Sequence, residues 1–376
     1  MHIFALNCGS SSVKSALIDT STRQRLFAAR VENLGAPGAD LQAAVAKVLQ
    51  DLHEHGAPDA IAHRIVHGGE RFVQATRIDD AVLEQIEKLS HLAPLHNPPA
   101  LAAVRLARSA YPQTPHIAIF DTAFHATLPG HAREYALPAD LRQRFGIRRY
   151  GFHGISHAHV MATVAVKLGA DADQLRIVSC HLGNGASAAA IERGRSVDTS
   201  MGMTPLEGLV MGTRAGDLDP GILLDLLQSR DLDAAAVDEV LNKKSGLTGL
   251  AGTNDVREIE RRATAGDERC RLALAIYSYR VRKYIGAYAA VMGGADAIAF
   301  TGGVGENSAS IREACLQRLE FLGATLDARA NRNVHLDDAS PCCEISQPGA
   351  RTRILVVRAD EELAMALETA SATSSS

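Results

Sequence analysis

Four segments of the chain combine histidine, arginine, glycine and proline in a way that is unusual for plain scaffold. They are AHRIVHGGE (62–70), APLHNPP (93–99), YGFHGISH (150–157) and SMGMTPLEGLVMGTRAGDLDPG (200–221). An arginine stays charged at neutral pH and holds a carboxylate or a phosphate in a two-pronged grip, so these arginines suit chemistry on anions. The glycine and proline density of the last segment excludes a regular helix, and long ordered loops in compact domains are usually functional.

Two other segments share a strand–turn–strand build whose turn is rich in glycine and small polar residues. The first is IFALNCGSSSVKSALID at the N-terminus, and RIVSCHLGNGASAAAIERG follows roughly 175 residues later. A unit that recurs once in each half predicts a duplicated domain with a cleft between the copies. Each turn offers backbone N–H groups to a phosphate. FTGGVGEN (300–307) follows a strand and leads into a helix, so residues 303–307 are expected as a loop whose glycines would let a nucleotide approach the backbone. The sequence therefore predicts a nucleotide site.

The elements that must position these residues alternate between strand and helix, which predicts an α/β architecture. Apolar runs typical of buried strands lie at residues 3–6, 60–66, 116–121, 176–181, 295–301 and 353–357. Amphipathic stretches with helical period lie at residues 39–53, 80–92, 99–110 and about 267–292. We expect an N-terminal domain of residues 1–130, a C-terminal domain of residues 131–362, and a last helix, about 363–376, that packs back on the first domain.

Composition excludes several classes of protein. The net charge of −4 gives no basic field for nucleic acid, and no uncharged apolar stretch reaches the ~18–20 residues needed to cross a bilayer. Because the N-terminus lacks the features of a signal peptide, we expect a cytoplasmic protein with no membrane or nucleic-acid partner and with reduced cysteines. Among these, Cys8 is either a buried inert thiol or an oxidation-sensitive one. The absence of a Gly-Lys dipeptide excludes a P-loop of the GxxxxGK[ST] type.

Taken together, nine motifs of the chain resemble those of the acetate kinase family. NCGSSSVK, FDTAFH, HLGNGAS, FTGGVGENS and DEEL join the four segments above, and the match runs from Asn7 to about Leu363. The resemblance implies the duplicated two-domain fold of actin, Hsp70 and the sugar kinases, with ATP in the cleft between the domains. It also implies a homodimer and a reversible, Mg²⁺-dependent phosphoryl transfer between ATP and acetate that gives acetyl phosphate and ADP. Mn²⁺ would be the substitute metal.

Such a reaction depends on positioning and electrostatics more than on proton transfer, because acetate is already ionised at pH 7. By resemblance, Arg64 holds acetate or acetyl phosphate, and Arg214 and His153 stabilise the transferring phosphoryl group. Asp121 matches the family's essential aspartate, which we assign to organising Mg²⁺ and Arg214. The alternative role for the two arginines is a salt bridge between domains.

The remaining site residues are also implied by the resemblance. The metal ligands are Asn7 and Glu361, with Glu362 as the alternative to Glu361. For the segment that contains Asp255, a helix N-cap at Asn254 or Asp255 is a simpler role that is compatible with ATP binding. The predicted ATP site comprises Lys14, His181, Leu182, Gly183, Asn184, Gly185, Asp255, Val256, Arg257, Gly303, Val304, Gly305, Glu306 and Asn307.

The acyl pocket decides between acetate and larger acids. The resemblance places Val66, Leu95, Phe152 and Pro205 around the methyl group, and these bulky side chains leave little room beyond one carbon. An added methylene changes selectivity by only ~1–3 kcal/mol in such pockets, so a propionate kinase stays the alternative. A switch-type ATPase of the same fold is less favoured because only one helix follows the last strand. A sugar kinase is less favoured because the acceptor pocket is apolar with an arginine.

Overall fold

The computed structural model describes residues 1–9, 12–32, 40–94, 96–229 and 232–374. The strands in these residues are β1 (His2–Cys8), β2 (Val13–Asp19), β3 (Gln24–Val31), β4 (Ala60–Ile65), β5 (Thr76–Arg77), β6 (His116–Phe120), β7 (Arg176–Leu182), β8 (Ala186–Glu192), β9 (Arg195–Thr199), β10 (Ala297–Thr301), β11 (Cys342–Glu344) and β12 (Arg353–Val357). The α-helices are α1 (Leu41–Leu52), α2 (Asp80–Lys88), α3 (Asn97–Ala110), α4 (Gly130–Arg133), α5 (Ala139–Phe145), α6 (Gly154–Leu168), α7 (Pro220–Gln228), α8 (Ala234–Glu239), α9 (Gly246–Ala251), α10 (Val256–Thr264), α11 (Glu268–Val291), α12 (Gly302–Asn307), α13 (Ala309–Leu316), α14 (Ala328–Arg332) and α15 (Glu361–Ser374).

The strands form two mixed six-stranded sheets of the same topology. The strand order is β3-β2-β1-β4-β6-β5 in the first sheet and β9-β8-β7-β10-β12-β11 in the second. In each sheet a three-stranded antiparallel meander is extended by two parallel strands and closed by a short antiparallel edge strand. Each sheet also has a register shift in its outer hairpin, between Leu17 and Ile18 in one and between Ala190 and Ile191 in the other. The predicted duplicated α/β fold is therefore confirmed.

The chain divides into two compact units, each containing one sheet. Unit 1 comprises Met1–Ala126, Phe152–His159 and Asp360–Ser376, and unit 2 comprises Thr127–Gly151 and Val160–Ala359.

The central strand β1 shows how unit 1 is packed, because its side chains alternate between two apolar layers. Phe4 and Leu6 pack with α1, whereas Ile3 and Ala5 pack with α15. A strand that is buried on both faces is typical of a sheet covered by helices on both sides. This packing sets the position of the polar residues at the carboxyl ends of β1, β4 and β6.

The six strands predicted with bounds, β1, β4, β6, β7, β10 and β12, begin and end within two residues of the prediction, but the segment after β10 differs from it. Residues 303–307, expected as a glycine-rich loop, belong to helix α12. Two side chains explain the helix: the Asn307 side-chain amide donates to the Gly303 carbonyl at 2.8 Å, and Arg312 donates to the carbonyls of Gly305 and Glu306 at 2.9 and 2.8 Å. These bonds satisfy carbonyls that a short helix would otherwise leave unpaired.

The cysteines and the longest helices bear on the compartment predictions. All six cysteines are free thiols, and burial raises the pKa of Cys8 to about 12, which favours the inert thiol of the two alternatives. Within the described residues, no helix combines the length and the apolar character that a membrane span requires.

Candidate functional site

A bidentate ion pair between Arg64 and Asp121 lies at the carboxyl ends of the parallel neighbours β4 and β6 in unit 1. Arg64 Nε donates to Asp121 Oδ1 at 3.0 Å, and Nη2 donates to Oδ2 at 2.6 Å. The backbone N–H of Asp121 also donates to the Ile65 carbonyl at 3.0 Å, and its side chain is almost fully buried. Both Asp121 oxygens are therefore directed at Arg64. Nothing in the sequence spacing indicates this pair.

The third nitrogen of the guanidinium joins Arg64 to a second group of oxygens. Arg64 Nη1 donates to Asn7 Oδ1 at 3.1 Å and to Glu361 Oε2 at 3.2 Å. The Asn7 amide donates in turn to Glu361 Oε2 at 2.7 Å and to Glu362 Oε1 at 3.2 Å. The end of β1 and the first turn of α15 thus bring the predicted metal ligands into one network with Arg64. Glu362, the alternative ligand, lies in the same network.

Asp121 and Glu361 bond to this one guanidinium, and Glu362 acts on it electrostatically. Burial opposes the charge on Arg64, but Asp121 and Glu361 outweigh it and raise the pKa of the guanidinium. Burial raises the pKa of Asp121 against the opposing effect of Arg64. Burial and the neighbouring Glu361 raise the pKa of Glu362, and Lys14 partly offsets this rise. Burial is the largest cause of both raised carboxyl pKa values, and the neighbouring carboxylates add to it.

The donor set of this network fits Mg²⁺. Carboxylate and amide oxygens are hard ligands, and Mg²⁺ commonly takes one or two carboxylates and leaves its other positions to water and substrate phosphates. The part of the chain that the structure describes contains no group of three or more His, Cys, Asp or Glu side chains arranged to hold a metal ion.

His153 is held against Asp121 by the backbone. Its φ of 57° lies in the left-handed region that residues other than glycine rarely adopt, and its N–H donates to the Asp121 side chain. The next N–H, of Gly154, donates to the Asp121 carbonyl at 2.9 Å. A Cβ at position 154 would lie 2.2 Å from that carbonyl oxygen and 2.9 Å from the Phe124 Cβ. Gly154, the second glycine of the YGFHGISH motif, is thus required because it packs closely against Asp121.

Replacing Gly154 with alanine is therefore expected to destabilise the protein by about 1–3 kcal/mol and to lower activity, because the new methyl group must push Asp121 away from Arg64. Differential scanning calorimetry and steady-state kinetics measure the two effects. Gly130→Ala is the matched control, since a Cβ at position 130 meets nothing within 4 Å. Equal thermal midpoints for the two variants would contradict the close-packing argument.

The predicted acyl-pocket residues are divided between the units. Val66 and Phe152 are buried in unit 1, and the Phe152 carbonyl lies 3.0 Å from His125 Nε2. Pro205 belongs to unit 2, and Leu95 lies outside the described residues.

In unit 2, the turn after β7 contacts two other segments that the sequence analysis singled out. The Asn184 carbonyl accepts from the N–H of Gly212 at 2.9 Å, and Asn184 Oδ1 accepts from the Asn254 amide at 2.9 Å. A Cβ on Gly212 would lie 2.0 Å from Asn184 Oδ1. The turn of residues 183–185 therefore touches both the long loop and the segment before α10. Gly212 and Asn254 were not among the predicted residues.

Helix α12 starts beside the same turn. The neighbouring parallel strands β7 and β10 place His181 opposite Thr301, and α12 follows directly. Gly302 has a φ of 79°, and a Cβ there would lie 2.8 Å from the Leu182 carbonyl. The predicted nucleotide residues at 181–185 and 303–307 thus lie at the carboxyl ends of adjacent strands, where α/β sheets usually bind ligands.

The three predicted residues at the start of α10 have structural partners of their own. Asp255 is the N-cap of α10, as the simpler interpretation proposed, and accepts from the backbone N–H of Arg257 at 3.0 Å. The Arg257 side chain, 90% exposed, pairs with the same carboxylate, and Val256 is buried. Lys14 differs from the other predicted ATP residues because it lies in unit 1, opposite Asn7 in the β1–β2 hairpin.

Arg214 is a mostly buried cation in the long loop of unit 2. Its Nη1 donates to the Pro205 carbonyl at 3.3 Å and lies 3.9 Å from the Met211 sulfur. Among the described residues, no carboxylate pairs with it, and burial lowers the pKa of its guanidinium. A desolvated guanidinium without a counter-ion favours an anionic ligand.

Comparisons with known proteins agree on one family. The model of the acetokinase family matches residues 36–367. The acetate kinase of Halothermothrix orenii is 46% identical, with 98% of this chain and 99% of that protein covered. The crystal structure of Porphyromonas gingivalis acetate kinase has a TM-score of 0.91 at 41% identity, with 98% of this chain and 99% of that chain covered. A propionate kinase structure from Francisella tularensis subsp. tularensis SCHU S4 has a TM-score of 0.87 at 37% identity and covers 98% of both chains.

Proposed function

The chain belongs to the acetokinase family, and from this premise we propose that it transfers the terminal phosphoryl group of ATP reversibly to acetate. An acetate oxygen forms the new bond to phosphorus, the bond between phosphorus and the bridging oxygen of ADP breaks, and acetyl phosphate and ADP leave. No proton moves, because the acetate carboxylate is ionised at neutral pH. The observation that carries the proposal is Arg214, a mostly buried guanidinium with no carboxylate partner among the described residues.

Arg64 is the residue for the acyl substrate. Its guanidinium is oriented by Asp121 and Glu361, so its plane is set before substrate arrives. A preorganised cation of this kind binds a carboxylate without first reorganising. The role of Asp121 is therefore to orient Arg64 and, through the backbone, His153. The sequence-based assignment of Asp121 to Arg214 stays a prediction.

Arg214 and His153 are the residues for the moving phosphoryl group. Phosphoryl transfer leaves little covalent work to the protein, so the catalytic contribution is charge stabilisation at the phosphoryl oxygens. The buried guanidinium of Arg214 offers this stabilisation in surroundings of low dielectric constant, where it is strongest.

Asn7 and Glu361 would hold Mg²⁺, with Mn²⁺ as the substitute, and Glu362 is available beside them. When bound, the ion supplies positive charge to the phosphates of ATP. The three carboxyl groups around Arg64 outnumber its single positive charge, which favours the binding of a further cation. The other residues predicted for ATP are the turn at 181–185, the start of α10, helix α12 and Lys14.

Propionate is the second candidate substrate, favoured by the similarity to the Francisella propionate kinase structure. The buried side chains of Val66 and Phe152 favour acetate, because a larger acyl group must find room beside them. A homodimer and a cytoplasmic location stay predictions of the resemblance.

The purified protein is expected to form acyl phosphate from Mg-ATP and acetate, propionate or butyrate with kcat/KM falling in that order. The acyl phosphate is trapped with hydroxylamine. One methylene accounts for about 1–3 kcal/mol, so propionate should be used roughly 10- to 200-fold less efficiently than acetate. Activity that peaks at propionate would support the second candidate. ATP hydrolysis without acyl phosphate from any acid would contradict both.

A further inference from the structure

A polar cluster of Tyr135, Arg149 and Glu207 in unit 2 lies outside the residues assigned above, and we call it the hub. Glu207 Oε1 accepts from Arg149 Nη2 at 2.6 Å, and Oε2 accepts from the Tyr135 hydroxyl. The Arg149 guanidinium also lies over the Tyr135 ring, 5.5 Å from its centroid. Burial raises the pKa of Tyr135, so its hydroxyl is a neutral donor at physiological pH. Both carboxylate oxygens of Glu207 are therefore held by donors.

The hub holds residues 200–207, the first part of the long loop. Arg149 Nη1 donates to the carbonyls of Ser200 and Met201 at 3.3 and 3.0 Å. The backbone N–H of Met203 donates to the hub tyrosine's hydroxyl at 3.2 Å. Ser200, Met201 and Met203 are thus hydrogen-bonded to the hub, and Gly202 lies between them.

Gly202 shows how closely the loop runs over the hub. A Cβ at this position would lie 1.8 Å from Glu207 Oε2 and 2.0 Å from the Tyr135 hydroxyl. Its carbonyl accepts from the N–H groups of Tyr150 and Gly151 at 3.1 and 3.2 Å. Through Gly202, the long loop is therefore hydrogen-bonded to Tyr150 and Gly151, the part of the YGFHGISH motif that belongs to unit 2.

The Pro205 carbonyl, which accepts from Arg214, lies between two residues that are bonded within the hub. Pro205 follows Met203, which is bonded to Tyr135, and precedes Glu207, which is part of the hub. The 3.3 Å bond from Arg214 Nη1 to the Pro205 carbonyl is its one hydrogen bond to oxygen among the described residues. The position of that carbonyl thus decides where the guanidinium points.

We propose that Glu207 is a positioning residue for Arg214, acting through the hub and the Pro205 carbonyl. The inference rests on the proposed function, in which Arg214 stabilises the transferring phosphoryl group. A partly buried ion pair such as Arg149–Glu207 adds little net stability, so its main contribution is one defined loop geometry. A small displacement of a positioned cation costs about 100-fold in rate for 1 Å, so a loosened hub lowers kcat.

Glu207→Gln and Tyr135→Phe test the proposal. Glu207→Gln is expected to lower kcat about 10-fold or more, and Tyr135→Phe about 3-fold, with KM for ATP and acetate within a factor of about two. Asp296→Asn is the matched control, because Asp296 pairs with Arg176 in the same unit and is 35% exposed against 33% for Glu207. It is expected to keep full activity. If Glu207→Gln fails to fold, Tyr135→Phe decides by itself.

A double-mutant cycle distinguishes the positioning of Arg214 from a general loosening of the long loop. Tyr135→Phe is expected to lose its effect on kcat in an Arg214→Ala background, where the residue being positioned is absent. Micromolar enzyme makes the residual activity of that background measurable by hydroxylamine trapping. The same fold-loss in both backgrounds, or wild-type kcat in both hub variants, would overturn the proposal. A wild-type protein that makes no acyl phosphate would instead overturn the proposed function, so the two failures are distinguishable.

Discussion

Replacing Arg214 with alanine is expected to lower kcat for acetyl phosphate formation about a thousandfold, the lower end of what arginines contribute at transferring phosphoryl groups. The buried guanidinium has no carboxylate partner among the described residues, so its charge is available to the phosphoryl oxygens. The same feature predicts that folding does not suffer. Removing a desolvated cation without a counter-ion relieves a cost of burial, and the thermal midpoint should stay unchanged or rise.

The measurement pairs kcat with the thermal midpoint for Arg214→Ala and for Arg282→Ala. Arg282 is a half-buried arginine of unit 2 that also donates to a backbone carbonyl, that of Ala314, and to the Gln317 side chain. Its replacement is expected to leave kcat within about twofold, as for substitutions away from a site. A loss of kcat in Arg214→Ala that is matched by a lower midpoint, or by an equal loss in Arg282→Ala, would contradict a direct catalytic role.

Most of the architecture could be predicted from the sequence because local pattern and global fold agree. The strand–turn–strand echo predicted two copies of one sheet, and the copies share strand order and even the register shift near Ile18 and Ile191. Such a repeat is visible in sequence because each copy must place small residues at the same turn. The apolar runs in the sequence likewise predicted the central strands to within two residues.

The partners of the charged residues could not be predicted in the same way. Asp121 and Arg64 are 57 positions apart, and Glu361 is 297 positions from Arg64, so the sheet order and the packing of α15 on the sheet bring them together. The sequence also contains 43 acidic residues, and motif spacing does not distinguish which of them faces a given arginine. The fold of α12 was mispredicted for a related reason. Its carbonyls are capped by Arg312, which lies beyond the glycine-rich motif.

Asp121→Asn is the variant with the second largest expected effect, a loss of about a hundredfold in kcat/KM for acetate. An amide offers one oxygen where the carboxylate offered two, so Arg64 keeps at most one of its bonds of 3.0 and 2.6 Å to this residue. A lost charge-assisted hydrogen bond is worth about 1.5–3 kcal/mol, which is roughly a 10- to 150-fold effect. The guanidinium then pairs more closely with Glu361, so the Mg²⁺ concentration for half-maximal activity should also rise.

Asp296→Asn is the matched control, because Asp296 holds Arg176 through the same two-pronged geometry at 3.1 and 2.8 Å. Both substitutions remove one charge from an arginine–aspartate pair, but Asp121 is buried and Asp296 is 35% exposed, so the thermal midpoint of each variant is measured beside its activity. The Asp121 variant alone should lose acetate turnover and require more Mg²⁺, since only its arginine also contacts the predicted metal ligands. Equal activity in the two variants would show that the Arg64–Asp121 pair is structural. A fall in kcat/KM with an unchanged Mg²⁺ requirement would show that Asp121 orients Arg64 for acetate and does not affect the predicted metal ligands.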